Sequence, residues 1–250
     1  MSRARITLGV TAGSVVAAAD RSGRVVVTRE LQHPGGAAGT GLGPPTYAAP
    51  VASSPFPRLS GTADVSVRPG RPADAAEIAR VQAVTWRTAY RGVLPREVLD
   101  EWDEAAATVA WHSAVTAPPT PGHGVLVAVE RQAVVGFVAF GPPELTSGER
   151  QDPAGPTTEV STLLVEPRWG RRGHGSRLLS AVADLAETAG VARLQAWLLE
   201  TDRASTGFYE SAGWAPDGWA RTLDTGDAPL REVRWHALLG PENSTTEGTT

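Results

Sequence analysis

Between Pro167 and Ser176 runs P-R-W-G-R-R-G-H-G-S, a glycine-rich turn that follows a strand-like segment and opens a helical pattern. Glycines let backbone amides approach a ligand closely, and a helix start presents unpaired N–H groups with a partial positive charge. The stretch Gly170, Arg171, Arg172, Gly173, His174, Gly175, Ser176 therefore suits a pyrophosphate. Arg171 and Arg172 add charge-assisted donors for phosphate oxygens, while the His174 ring is expected to face solvent. A dinucleotide turn follows the same logic, but Gly173-His174-Gly175 is followed by Ser176-Arg177-Leu178, so the third glycine of G-x-G-x-x-G is absent. Taken alone, the glycines also fit a plain strand-to-helix connector.

Composition removes several other chemistries. All 23 basic residues are Arg, so the chain has neither a P-loop Lys nor a Lys Schiff base. It has no Cys, hence no disulfide, thiolate nucleophile or Cys-based zinc site, and no metal is expected. No G-x-S-x-G elbow occurs. A net charge of −4 argues against a nucleic-acid partner. Residues 6–19 imitate a secretory signal poorly, with Thr7, Gly9, Thr11, Gly13 and Ser14 interrupting the apolar run. No segment reaches the ~20 apolar residues of a membrane span, so a soluble, cytoplasmic protein without a membrane partner is expected.

The elements that must position the turn lie C-terminal, where all eight Trp residues fall beyond residue 85. Residues 1–62 read as a leader with one small hairpin and a Pro/Gly/Ala/Ser-rich linker, 63–240 as the folded domain, and 241–250 as a disordered tail. VSVRPG predicts a strand, and Pro72 opens a helix carrying Ile78, Val81, Gln82, Thr85 and Trp86. A second helix is expected over Arg96–Val115. The acidic run Asp100, Glu101, Asp103, Glu104 lies on it, as a solvated face or an attraction for a cationic amine. Strands GVLVAVE and AVVGFVAFG are joined by Arg131-Gln132 as a hairpin. Thr158–Glu166 is the next strand, stopped by Pro167. From Ser176, Leu178, Leu179, Val182, Leu185 and Ala186 share one face of a helix that Gly190 ends. Val191–Leu199 reads as a strand, Asp202–Ala212 as a short helix stopped by Gly213, and two strands follow, the second over Leu230–Ala237.

A second cluster, D-R-A-S-T-G-F-Y-E-S-A-G-W over Asp202–Trp214, stands about 30 residues beyond the turn. Together with EVSTLLVEP and the turn, it resembles the GNAT superfamily of acyl-CoA-dependent N-acetyltransferases. The resemblance extends to VRPGRPADAAEIARVQAVTWRTAYRGVLP and covers roughly Asp64–Leu239. It implies an α/β fold with a mixed, mainly antiparallel sheet of six to seven strands flanked by helices. It further implies acetyl-CoA as cosubstrate and a primary amine of a small molecule or peptide as acceptor. Oligomeric state stays open, a homodimer included.

By position, the resemblance implies that Leu163, Leu164 and Val165 offer main-chain groups to the pantetheine arm and that Gly170–Ser176 cradle the pyrophosphate. The acetyl carbonyl would lie beside a parting between the strand ending at Val165 and the strand near Trp197, with a backbone amide polarising its oxygen. Tyr209, a phenol of pKa ~10, would give a proton to the departing thiolate, the alternative being a packing role. Glu159 corresponds to a position used as general base, through water, and equally fits a structural carboxylate. Trp86 and Tyr90, one turn apart, border the acceptor site in the family, and core packing explains them as well. Two departures stand out: Gly170 replaces Gln or Arg, and Asp202 replaces Asn, so a carboxylate stands where an amide would donate. Direct attack by the amine is expected. A non-catalytic acyl-CoA sensor is the alternative, and an interaction module built on the leader a third reading.

Overall fold

The computed structural model describes residues 64–89, 91, 99–100, 102–143, 155–223 and 229–240. The expected leader with its hairpin, the tail and Tyr90 lie outside them. The elements run β1 (Val65–Pro69), α1 (Ala75–Ala89), α2 (Glu104–Thr116), β2 (Gly124–Glu130), β3 (Ala133–Gly141), β4 (Thr157–Val165), α3 (His174–Thr188), β5 (Arg193–Leu199), α4 (Arg203–Ser211), β6 (Ala215–Leu223) and β7 (Leu230–Leu238). All seven strands form one sheet in the order β1-β2-β3-β4-β5-β7-β6, mixed and mainly antiparallel as expected.

Helices cover both faces of this sheet, and alternation along the strands divides the core accordingly. Val127, Val134 and Phe137 pack against Ile78, Val81 and Trp111 of α1 and α2. Leu126, Val135, Val138 and Val160 point the other way, onto Leu178, Leu179 and Val182 of α3. Burial on both sides explains why β2 and β3 read as nearly continuous apolar runs. Arg131 and Gln132, both at positive φ (48° and 75°), make the tight β2–β3 turn.

Helix ends follow local chemistry. Asp74 precedes α1 and accepts from Arg68 at 2.7 and 2.8 Å and from the Arg71 amide at 2.7 Å, tying β1 to the helix start. The expected continuous helix over 96–115 is corrected: Trp102 and Asp103 are not helical, and Asp103 accepts from the Ala106 amide at 2.9 Å as the N-cap of α2. A short polar side chain that can satisfy an orphan amide starts a helix more readily than it continues one. Gly190, at φ 73°, follows α3; its amide donates to Glu187 O and that of Val191 to Ala186 O, each at 2.9 Å. No helix among the described residues is long and apolar enough to cross a membrane.

The sheet is continuous only at one end of its centre. β4 and β5 run parallel and pair through Thr157 with Arg193, Thr158 with Leu194 and Glu159 with Gln195, then part. Beyond that point β4 continues to Val165 on β3, and β5 to Leu199 on β7. The β3–β4 register also shifts there: Ala139 faces Thr162 and Phe140 faces Val160, leaving Ser161 as an extra residue whose Oγ donates to Ala139 O at 3.0 Å. A bulge of this kind bends its strand, and here it bends β4 where β4 leaves β5.

Candidate active site

After β4, Pro167–Trp169 form a 3₁₀ turn, and Gly173 at φ 76° precedes α3 without any side chain to cap it. The opening amides of α3 are thus left for an outside acceptor. Arg171 also takes positive φ (60°), a conformation that non-glycine residues enter at some cost. Buried Glu166 secures the preceding turn between Arg80 at 2.9 Å and Arg168 at 2.5 Å. Gly175 sits close against its neighbours: a Cβ there would lie 3.2 Å from the Phe208 ring, tighter than most such contacts, and 3.7 Å from Leu163. The helix start is therefore wedged between β4 and α4.

The two arginines of the turn differ. Arg172 stacks on Trp169, 4.8 Å from its centroid, and its Nη1 reaches Glu130 at 3.1 Å. Arg171 is exposed and makes no side-chain contact of this kind among the described residues. The expectation that the His174 ring faces solvent is corrected. It is 1% exposed, and Nε2 contacts Glu130 Oε2 at 2.9 Å. The first helical position turns this side chain inward, so only its backbone faces the turn. Ser176 is exposed.

On the side where β5 has left, Leu163, Leu164 and Val165 have main-chain groups with no strand partner, although their other edge pairs with Val138, Phe137 and Gly136. The parting forms a cavity of about 80 Å³ lined by Leu163, Trp197, Ser205, Tyr209, Glu232 and, from the opposite helical layer, Trp86. It therefore passes through the sheet from the α4 side to the α1 side.

Tyr209 is held there by the way its helix ends. Gly213, at φ 82°, follows α4; its amide donates to Glu210 O and that of Trp214 to Tyr209 O, both at 3.0 Å. This closure brings the residue after the glycine back onto the last turn, and the Tyr209 and Trp214 rings meet edge to face at 4.8 Å. The hydroxyl bonds to no described residue. Burial pushes the phenol pKa well above its ordinary value, so it stays protonated.

Asp202 lines the same cavity, but its carboxylate caps its own helix. It accepts from the Ala204 and Ser205 amides at 3.1 and 3.0 Å and from Ser205 Oγ at 2.7 Å. Glu159 is buried at the last β4–β5 pair, where Gln195 Nε2 donates to it at 2.8 Å, and it is not among the residues lining the cavity. A second acidic residue that lines it beside Asp202, missed in sequence, is Glu232. Arg221 Nε donates to its Oε2 at 2.5 Å, while Oε1 accepts from no described residue. Arg221 in turn stacks on Trp197 at 4.3 Å. Only the β6–β7 register brings this pair together, and no spacing in the sequence marks it.

These features agree with relationships to known proteins. The model of the acetyltransferase (GNAT) family matches residues 82–214, more than half of the chain. The uncharacterized N-acetyltransferase YuaI of Bacillus subtilis is 28% identical over 171 residues, covering 68% of this chain and 90% of YuaI. The L-amino acid N-acyltransferase MnaT of Escherichia coli is 29% identical over 152 residues, covering 60% of this chain and 79% of MnaT. Among solved structures, YncA of Salmonella typhimurium, a putative acetyltransferase determined with its cofactor acetyl-CoA, shares the fold at a TM-score of 0.52 and 19% identity, covering 73% of this chain and 98% of that one. The chain belongs to the GNAT family of acetyltransferases and is an acyltransferase.

Proposed function

We propose that this acyltransferase moves acetyl from acetyl-CoA to a primary amine of a small molecule or peptide by direct attack. The observation that carries the reading is the separation of β4 from β5 beyond Glu159 and Gln195, with Tyr209 in the wall of the resulting passage. The acetyl-CoA of the YncA structure and the amino-acid acceptor in the name of MnaT support the cosubstrate and a small amine.

The uncapped amides of Gly173–Ser176, with Gly170, Arg172 and the unengaged Arg171, hold the pyrophosphate. The open main-chain edge of Leu163–Val165 takes the pantetheine arm, and a backbone amide of the same edge polarises the thioester carbonyl. Tyr209 donates its proton to the departing thiolate. Glu232 Oε1 holds the incoming ammonium, while Oε2 of the same carboxylate is engaged by Arg221. Glu159 accepts the amine proton through water, with Gln195 fixing its orientation. No Cys is available to carry an acyl-enzyme.

Release of free thiol from acetyl-CoA with a panel of amines, amino acids and peptide N-termini tests the reading. Amine-dependent release is expected. A tight CoA complex that turns over no amine would overturn it.

A further inference from the structure

A second cavity, of about 230 Å³, lies between α2 and the sheet and touches the first at Ser161 and Thr162. Its wall is made largely by Ala110, Trp111 and Ala114 of α2, with Val125, Ala139 and Phe140 of the strands. Its polar lining residues are Ser161 and Thr162, where the two cavities meet, together with Ser113 of α2 and His123. His123 is at its edge, with its Nδ1 2.8 Å from Thr120 Oγ1.

This cavity is built. The Phe140 ring lies across Gly124, where a Cβ would come within 2.6 Å of it, and His123 lies across Gly141 in the same way, at 2.3 Å. Small residues at 110 and 114, one turn apart on α2, leave the space that larger ones would fill. The position is also specific. The phosphate turn and α3 pack on the sheet face that carries Val160, whereas Trp86, α2 and this cavity belong to the opposite face. A thioester threaded into the parting from the α3 side leaves the α1–α2 side for the amine. The bulged residue Ser161 borders both the transfer passage and the apolar space.

We propose that this second cavity receives an apolar side chain of the acceptor, so that the enzyme selects primary amines carrying a branched aliphatic or phenyl group close to the reacting nitrogen. The inference rests on the transfer reading above. Apolar cavities of about 150 Å³ already take up benzene, so the size suits one such group. The lining contains no Asp, Glu, Lys or Arg to pair with a charged one. Filling a pocket of this kind separates substrates by on the order of tenfold or more.

The test is thiol release from acetyl-CoA with glycine, leucine, phenylalanine and aspartate, each also as its decarboxylated amine. Leucine, phenylalanine and their amines are expected to exceed the glycine and aspartate sets by about tenfold or more in kcat/KM. Ala114→Leu and, separately, Ala110→Leu should remove most of that advantage, with CoA affinity measured by calorimetry unchanged. Turnover without the apolar preference, or a preference that survives both substitutions, overturns this assignment and leaves acetyl transfer standing. CoA binding with no turnover of any amine overturns transfer itself and the pocket with it.

Discussion

His174, which opens α3, and Glu130, which closes β2, meet through Nε2 and Oε2 at 2.9 Å. The other oxygen of the same carboxylate takes Arg172 at 3.1 Å. One side chain at the end of a distant hairpin strand thereby holds two residues of the turn proposed to take the pyrophosphate. An ionised carboxylate only accepts, so Nε2 carries the proton. Buried Nδ1 then has no partner among the described residues, and the Glu130 contact is the polar anchor of this ring.

Glu130→Gln should therefore loosen the turn without touching the reacting groups. Its amide has one accepting oxygen for two donors, so one contact is lost, at about 1 kcal/mol. The expected result is a CoA Kd raised about fivefold, with kcat at saturation nearly unchanged. Calorimetric titration with CoA checks it, and an unaltered Kd would detach Glu130 from the turn.

Gly173→Glu tests the cradle directly. A side chain at φ 76° costs about 1 kcal/mol of strain, which thermal unfolding would register as a modest loss. The carboxylate would also stand where the proposed pyrophosphate site lies, so CoA affinity should fall far more than stability, by about 100-fold. Normal CoA binding by this variant would remove the turn from the cofactor site.

Much of the fold around this site was legible because local chemistry and tertiary position coincide. Gly190 and Gly213 end helices wherever those helices pack, and Arg131-Gln132 turns a hairpin by itself. What escaped depends on orientation or register. The position of His174 at a helix start does not say which way its ring turns. Asp103 belongs to a run of acids that reads as a charged face, yet its side chain caps α2. Glu232 faces the cavity through pairing with Leu199 on one side and Arg221 on the other, which only the assembled sheet determines.

Asp74 should make stability depend on acid. The hydrogen bonds from the Arg68 guanidinium, more than the amide of Arg71, hold its carboxyl below the usual carboxylate range. A group with a lowered folded pKa stabilises fully above its unfolded pKa of about 3.9, and this stabilisation is lost as pH falls through the folded value. Asp74→Asn is expected to cost about 2 kcal/mol at pH 7, with the gap to the parent protein narrowing below about pH 4. Urea unfolding at pH 7 and pH 3 reads this; a gap constant across both would mean the carboxylate charge is not what ties β1 to α1.

Tyr209→Phe keeps the edge-to-face contact with Trp214 and removes only the hydroxyl. If the phenol protonates the leaving thiolate, kcat should fall by about 10²- to 10⁴-fold with CoA affinity intact. Because burial raises the phenol pKa, the parent enzyme should show no loss of this acid as pH rises to about 10. The two carboxylates separate on the same assay. Glu159→Gln should depress kcat/KM strongly at pH 7 and much less at pH 10, where much of the amine is already neutral and needs no base. Glu232→Gln should raise KM for the amine at pH 7 while kcat holds, because it removes a grip on the ammonium and leaves the proton path. A Glu232→Gln enzyme whose kcat falls at pH 7 and recovers at pH 10, beside a Glu159→Gln defect confined to KM for the amine, would exchange the two roles.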